Sequence, residues 1–311
     1  MAVNKVSLVE MGLRDGLQNE KTLIDIPTRI EMAVRLAKAG VKRIELGAFV
    51  RSDWVPQMTG SKEVINGVLS LQKQGKISKD VIFSALVPNE RGFQDALATG
   101  IKEIAIFAAC SESFSKKNTN CSIEESFERF APVMVLAKKH KIKVRGYLSV
   151  CFGCPFEGAV PEARVVKLAH KMFKMGVYEV SIGDTIGVAQ VGQVESLLKK
   201  LKTKISIKNI AGHFHDTRGQ ALANIVRAYQ LGVRTFDSSL GGLGGCPYAP
   251  GATGNIATED VVYMFHGMKV KTGIDLDSLV AMNPWVAEKV FHELPSCVGK
   301  VGRLKPQGKV L

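Results

Sequence analysis

The sequence predicts an α/β architecture: a (β/α)8, or TIM, barrel followed by a short C-terminal helical extension. Three observations predict it. A short apolar run followed by an amphipathic stretch recurs eight times before about residue 266. Strict alternation of strand and helix implies a parallel sheet, and eight such units fit the usual size of a closed barrel. Second, a quasi-repeat opens the even-numbered strands: Gly40-Val41-Lys42-Arg43-Ile44, Gly100-Ile101-Lys102-Glu103-Ile104, Gly176-Val177-Tyr178-Glu179-Val180 and Gly232-Val233-Arg234-Thr235-Phe236. In each, a glycine suited to the left-handed end of a helix is followed by a β-branched residue that begins a strand. Third, no GxGxxG follows the first strand, as the doubly wound alternative would lead one to expect.

Taken in order, residues 6–11 form the first strand and 27–39 the first helix, with Ile30, Val34, Leu36 and Ala37 on one face. Strand 41–49 and helix 62–74 follow, then strand 81–87 and helix 90–98, which Asn89 caps. Strand 103–109 leads to the long helix 122–139, where Ser122 and Glu125 have capping-box spacing. Strands 143–150, 178–182, 210–215 and 235–240 alternate with helices 161–175, 191–202 and 219–230. Thr258 is expected to cap a last barrel helix ending near His266. The pattern degrades beyond residue 272, so the chain divides into a catalytic barrel, 1–272, and a C-terminal segment, 273–311, whose stretch 276–290 reads as helical.

Composition narrows the function. No apolar run approaches membrane-spanning length, and nothing at the start reads as a targeting leader, so a cytoplasmic protein with no membrane partner is expected. Six cysteines in 311 residues are not a disulfide framework. Cys151-Phe152-Gly153-Cys154 lacks the second pair a structural zinc site would need, so reduced thiols are expected. The net charge of +13 is scattered along the chain without a basic block or interleaved aromatics. It suits solvated helix faces and a phosphate-bearing small molecule better than nucleic acid, which is set aside as a partner.

The chemistry gathers where a barrel would put it, at the C-terminal ends of the strands. His213 and His215 are two apart in a strand, so both imidazoles face one side, with Phe214 on the other. Arg14-Asp15 follows the first strand, Glu45 ends the second and Asp184-Thr185 follows the sixth. Cys246 and Asn255 lie in or beside the glycine-rich stretch after the eighth strand, which reads as a lid. Each residue has a plainer reading. The histidines could be a hydrogen-bonded pair, Asp15 a turn residue, and Glu45 a partner of Arg14 or Arg43. Asp184 could cap the next helix, and Cys246 could be an ordinary small residue. Together Asp15, His213, His215 and Asn255 form a mixed nitrogen and oxygen set suited to Mg²⁺ or Mn²⁺, with Zn²⁺ a poorer match.

Several stretches resemble hydroxymethylglutaryl-CoA lyase, one of the barrel metallolyases: Gly12-Leu13-Arg14-Asp15-Gly16-Leu17-Gln18-Asn19-Glu20-Lys21, Trp54-Val55-Pro56-Gln57-Met58, Asn120-Cys121-Ser122-Ile123-Glu124-Glu125, Gly183-Asp184-Thr185-Ile186-Gly187, His213-Phe214-His215-Asp216-Thr217 and the run 241–260. The resemblance implies a metal-dependent retro-Claisen cleavage of 3-hydroxy-3-methylglutaryl-CoA to acetyl-CoA and acetoacetate, as in leucine degradation and ketone-body formation. Carried over by motif, Asp15, His213, His215 and Asn255 hold the metal, and Arg14 polarises the thioester carbonyl. Arg14 and Gln18 bind substrate, Glu45 stands near the metal, and Asp184 and Cys246 are proton-transfer candidates. An acyl-CoA partner and a homodimer are expected. Two departures stand out: Leu46-Gly47-Ala48 replaces hydroxyl residues, and Arg51-Ser52-Asp53 replaces Ser-Pro-Lys. Both are expected to touch substrate choice. A condensing synthase of the same superfamily is the alternative, but synthases usually carry a longer region after the barrel.

Overall fold

The structure, a computed structural model, describes residues 4–245 and 254–302. Its centre is a closed, all-parallel barrel in the order β1 (Ser7–Glu10), β2 (Arg43–Ala48), β3 (Ile82–Leu86), β4 (Glu103–Ala109), β5 (Lys143–Ser149), β6 (Glu179–Asp184), β7 (Ile210–Phe214) and β8 (Thr235–Ser238), with β8 pairing back onto β1. The helices around it are α1 (Ile26–Lys38), α2 (Ser61–Lys73), α3 (Glu90–Thr99), α4 (Glu112–Thr119), α5 (Ile123–His140), α6 (Glu162–Lys174), α7 (Val191–Leu201), α8 (Ala221–Gln230) and α9 (Thr258–Gly267). The predicted caps form at two helices: Asn89 Oδ1 accepts from Gly92 N, and Ser122 and Glu125 close a capping box on α5. Thr258 does not cap α9. Ala257 holds the cap position, and the Thr258 hydroxyl donates instead to the buried Glu10 carboxylate at 2.7 Å.

Alternation along the strands sorts the side chains. Ile104, Ile106, Val144, Leu148, Val180, Ile182 and Phe236 are buried in the apolar layer between strands and helices. The opposite faces carry Glu103, Arg145, Tyr147, Glu179, Ser181, His213 and Asp237, all buried. The barrel lumen is therefore charged rather than filled with branched aliphatics, and its charges are matched: Arg145 reaches Glu179 at 2.7 Å and Asp237 at 2.8 Å, and Arg43 reaches Glu179 at 3.0 Å. β2 departs from regular alternation. Its register against β3 slips between Glu45 and Ala48, the signature of a bulge, which re-aims the residues after it.

Beyond the barrel, α10 (Leu276–Val290) and α11 (Cys297–Val301) form the helical extension. Arg35 of α1 stacks over the Trp285 ring at 4.5 Å, and Asp260 of α9 accepts from Ser296 Oγ, Cys297 N and Val298 N. No helix among the described residues is long and apolar enough to cross a membrane.

Candidate active site

A cavity of about 1040 Å³ opens at the C-terminal ends of the strands. Arg14, Asp15, Gln18, Ala48, Tyr147, His213 and His215 line it. Arg14 and Asp15 sit in a π-helical turn, Gly12–Gly16, which widens the chain directly after β1 and brings both side chains over the lumen. His213 is on β7 and His215 one residue past its end, with ring centroids 5.2 Å apart.

Asp15, His213 and His215 each offer a ligand atom, and these atoms lie within 4.8 Å of one another. Asn255 joins them through an isolated bridge to His215 and an Nδ2 donation to Asp15 Oδ2 at 2.7 Å. His215 is 4% exposed, yet neither ring nitrogen has a hydrogen-bond partner among the described residues. A buried imidazole left bare in this way is costly unless something else occupies its lone pair. The donor set fits a divalent cation.

Burial opposes the charge on Asp15. Arg14, with His215 and His213 beside it, outweighs burial and holds the carboxylate well below its ordinary range. Arg14 donates Nε to Glu45 and Nη1 to Asp15, each at 2.5 Å, and these two carboxylates keep it charged against burial. Glu45 is not at the strand end, as the sequence predicts. It is the third residue of β2, fully buried beneath Arg14, and its second oxygen accepts from Tyr147 Oη at 2.9 Å. Tyr147 accepts in turn from Arg145 Nη1, whose Nη2 donates to Asp237, which faces His213 Nδ1 at 3.2 Å. An unbroken chain of contacts thus runs from Asp15 through Arg14, Glu45, Tyr147, Arg145 and Asp237 to His213. Tyr147, Arg145, Ser181 and Asp237 were missed from sequence. Their signal was a polar residue at every second position of strands whose other face is apolar.

Asp184 is the last residue of β6, and its carboxylate turns back onto its own loop, accepting from Val188 N at 2.9 Å and Ala189 N at 3.0 Å. Burial raises its pKa, with those two donors working against the rise. Asp184 does not cap the next helix, where Gln190 holds the cap position; it closes its own loop instead. Cys246 lies outside the described residues. The ends of its loop are described: Gly245 lines the cavity and takes a bond from Asn19 Nδ2, while Gly254 O accepts from Asp216 N. A Cβ on Gly254 would stand 2.3 Å from the Gly244 carbonyl carbon, so the two ends meet only because both lack side chains.

The Gly47-Ala48 departure divides at the bulge. Gly47 faces the helices, where an added Cβ would lie 2.5 Å from Ser61 Oγ, beside the buried Arg29. Ala48 lines the cavity, which Leu86, Phe107 and Phe130 also line. Arg51 and Asp53 are paired with each other at the mouth, with Arg51 over the exposed Trp54 ring. The two cysteines of the CxxC point to different partners: Cys151 Sγ lies 3.7 Å from Cys110 Sγ, and Cys154 Sγ accepts from Ser111 at 3.0 Å.

The HMGL-like family model matches residues 5–286. A Pseudomonas aeruginosa protein named 3-hydroxy-3-isohexenylglutaryl-CoA/hydroxy-methylglutaryl-CoA lyase is 50% identical over 89% of this chain and 90% of its own length. The crystal structure of hydroxymethylglutaryl-CoA lyase from Pseudomonas aeruginosa superposes with a TM-score of 0.91 at 46% identity, covering 96% of this chain and 97% of that one. An HMG-CoA lyase from Acenitobacter baumannii, in complex with coenzyme A and 3-methylmalate, superposes with a TM-score of 0.93 at 33% identity, covering 100% of this chain and 99% of that one.

Proposed function

The chain belongs to the HMGL-like family, and from that premise we propose that it is a carbon–carbon lyase cleaving 3-hydroxy-3-methylglutaryl-CoA to acetyl-CoA and acetoacetate. The observation that carries the reading is the convergence of Asp15, His213 and His215 beside Arg14 in one large cavity.

In the reaction, the C3 hydroxyl loses its proton and the bond between C2 and C3 breaks. C3 becomes the ketone of acetoacetate, and the electron pair passes to C2 as the enolate of acetyl-CoA. A proton delivered to C2 completes acetyl-CoA. Arg14, held on two sides by Asp15 and Glu45, presents a fixed positive charge to the thioester oxygen as the enolate develops. Because its position is set before substrate arrives, that charge needs no reorganisation during the step.

Asp15, His213, His215 and Asn255 would hold Mg²⁺ or Mn²⁺, with Asn255 turning its carboxamide to offer Oδ1. Such an ion supplies Lewis-acid polarisation and lowers the pKa of a substrate hydroxyl. We assign proton delivery at C2 to Cys246, because Gly245, the residue before it, lines the cavity, and Gly254 at the far end of the loop packs back against Gly244. Gln18 lines the same cavity and would contact substrate.

The test follows acetoacetate from metal-stripped protein given 3-hydroxy-3-methylglutaryl-CoA, with and without Mg²⁺ or Mn²⁺. Metal-dependent release that vanishes in His213→Ala and drops strongly in Cys246→Ala is expected. Folded, metal-loaded protein that releases none would remove the assignment, and acetyl-CoA with 2-oxo acids would be tried next.

A second substrate fits the same site. Ala48 and the Leu86, Phe107 and Phe130 surfaces line the cavity without hydroxyls, which suits a larger apolar group at C3. Ala48→Ser is expected to lower kcat/KM for a 3-alkyl-lengthened analogue by roughly tenfold relative to the methyl substrate. An unchanged ratio would rule Ala48 out as the discriminating position.

A further inference from the structure

We propose that Asp237 is a positioning residue for the metal-binding face of His213: it fixes the imidazole with its proton on Nδ1, so that Nε2 keeps its lone pair toward Asp15 and His215. The inference rests on the metal reading of the site above.

Asp237 is on β8, paired in register with His213 on β7, so the two side chains are neighbours on the lumen face. The carboxylate is 1% exposed. Oδ1 accepts from Arg145 Nη2 at 2.8 Å, and Oδ2 accepts from Ser181 Oγ at 2.7 Å. Oδ2 also faces His213 Nδ1 at 3.2 Å. A carboxylate bound to an arginine is an acceptor only. The imidazole atom facing it must therefore carry a hydrogen, and a neutral imidazole with Nδ1–H has its lone pair on Nε2. Nε2 lies 3.8 Å from Asp15 Oδ2, on the cavity side.

His215 has no such restraint, since neither of its ring nitrogens finds a partner among the described residues. The site thus joins one histidine whose tautomer is set in advance to one whose ring nitrogens no described residue bonds, the nearer carboxylate oxygen standing 3.6 Å away on Asp15. Ser181 and Arg145 act a step further back, by holding both oxygens of Asp237 in place.

Asp237→Asn keeps the shape and reverses the polarity. Its carbonyl oxygen stays on Arg145, and its amide hydrogens then face Ser181 and His213. His213 has to accept on Nδ1, which moves its proton to Nε2 and blocks the ligand position.

Long-range ¹H–¹⁵N correlation of metal-free wild type is expected to show His213 held as the Nδ1–H tautomer. In Asp237→Asn the same signal is expected to switch to Nε2–H. Mn²⁺ affinity, followed by electron paramagnetic resonance, is expected to fall 10- to 100-fold, the usual cost of losing a partner behind a metal-bound histidine. High Mn²⁺ should restore part of kcat, with KM for the acyl-CoA little changed.

A variant that only loses thermal stability, while keeping the wild-type tautomer and Mn²⁺ affinity, overturns the proposal. Should Asp237→Asn fail to fold, the wild-type spectrum still decides, because His213 found with Nε2–H, or as an even mixture, overturns it. Wild type that binds no Mn²⁺ at all overturns the metal reading and this inference together. Wild type that binds Mn²⁺ while the variant binds it equally well removes this inference alone.

Discussion

Two sets of buried carboxylates belong to the same barrel and are held by opposite means. In the lumen, Asp15, Glu45, Glu179 and Asp237 each contact an arginine. Outside it, Glu10 accepts from Gly12 N, Leu240 N and Thr258 Oγ1, and Glu259 accepts from Gly241 N and Asn283 Nδ2. Among the described residues, neither of these outer groups meets an arginine or lysine. Burial dominates in the outer set and raises Glu10 to about 7 and Glu259 to about 8 despite their donors. Burial also opposes the charge on Asp15, Asp237 and Glu179, but Arg14 for the first, Arg145 for the second, and Arg145 with Arg43 for the third turn the balance, and all three are lowered. An arginine at hydrogen-bond distance keeps these buried carboxylates ionised where neutral donors do not, whereas Glu103, 3.8 Å from Arg43 and bonded by Tyr178, is still raised by burial. The lumen set lies under the reacting groups, where a fixed charge pattern is useful. The outer set ties the turn carrying Arg14 and Asp15 to the start of the loop carrying Cys246.

The largest expected effect comes from breaking the lumen set at its centre. Arg145→Met leaves Glu179 and Asp237 facing each other across the lumen with a partner removed, and should cost about 3–5 kcal/mol. Urea unfolding at constant m would measure it. A loss below about 1 kcal/mol would mean that the arginines are not what holds these carboxylates.

Thr258→Val removes one neutral donor from Glu10 at nearly unchanged volume and should cost about 1–2 kcal/mol in the same assay. A loss as large as that of Arg145→Met would erase the distinction between the two sets.

The pH dependence separates the sets by sign. Carboxylates lowered in the folded state contribute stability present above their unfolded pKa and lost as pH falls through the folded value, so Asp15, Glu179 and Asp237 act below about pH 4. Carboxylates raised in the folded state contribute stability present below their unfolded pKa, and it is lost as pH rises through about 7 for Glu10 and about 8 for Glu259. Stability should therefore decline between pH 5 and 8, by at most about 1.4 kcal/mol per pH unit for each group. Glu259→Gln should flatten that slope, as thermal unfolding across the range would show. An unchanged slope would place its origin elsewhere.

The smallest effect belongs to a pair outside both sets, at the surface, whose lysine also rests over the Phe127 ring. Lys171→Ala, which removes a surface bond to Glu124, should change stability by under about 1 kcal/mol.

Much of this was legible in advance. Residues 103–109 and 276–290 form elements with the predicted bounds. The His-x-His pair converges as period-two alternation requires. The polar stretch 112–119 has no apolar periodicity to announce a helix, yet it forms one between Ser111, which caps it through Phe114 N, and Asn120 in the left-handed conformation. The bulge that follows Glu45 in β2 is invisible to a simple count of alternation, and it decides that Ala48, not Gly47, meets the cavity.

By itself, the sequence determined the strand count, the parallel order and the rim that bears the chemistry. Those follow from hydrophobic period and glycine placement, which are local properties of the chain. Only the tertiary structure decided which buried charges are partners. Arg145 meets Asp237 across 92 positions of sequence, and Glu10 meets Thr258 across 248. Such pairings depend on barrel closure and register, and no short window of sequence contains either.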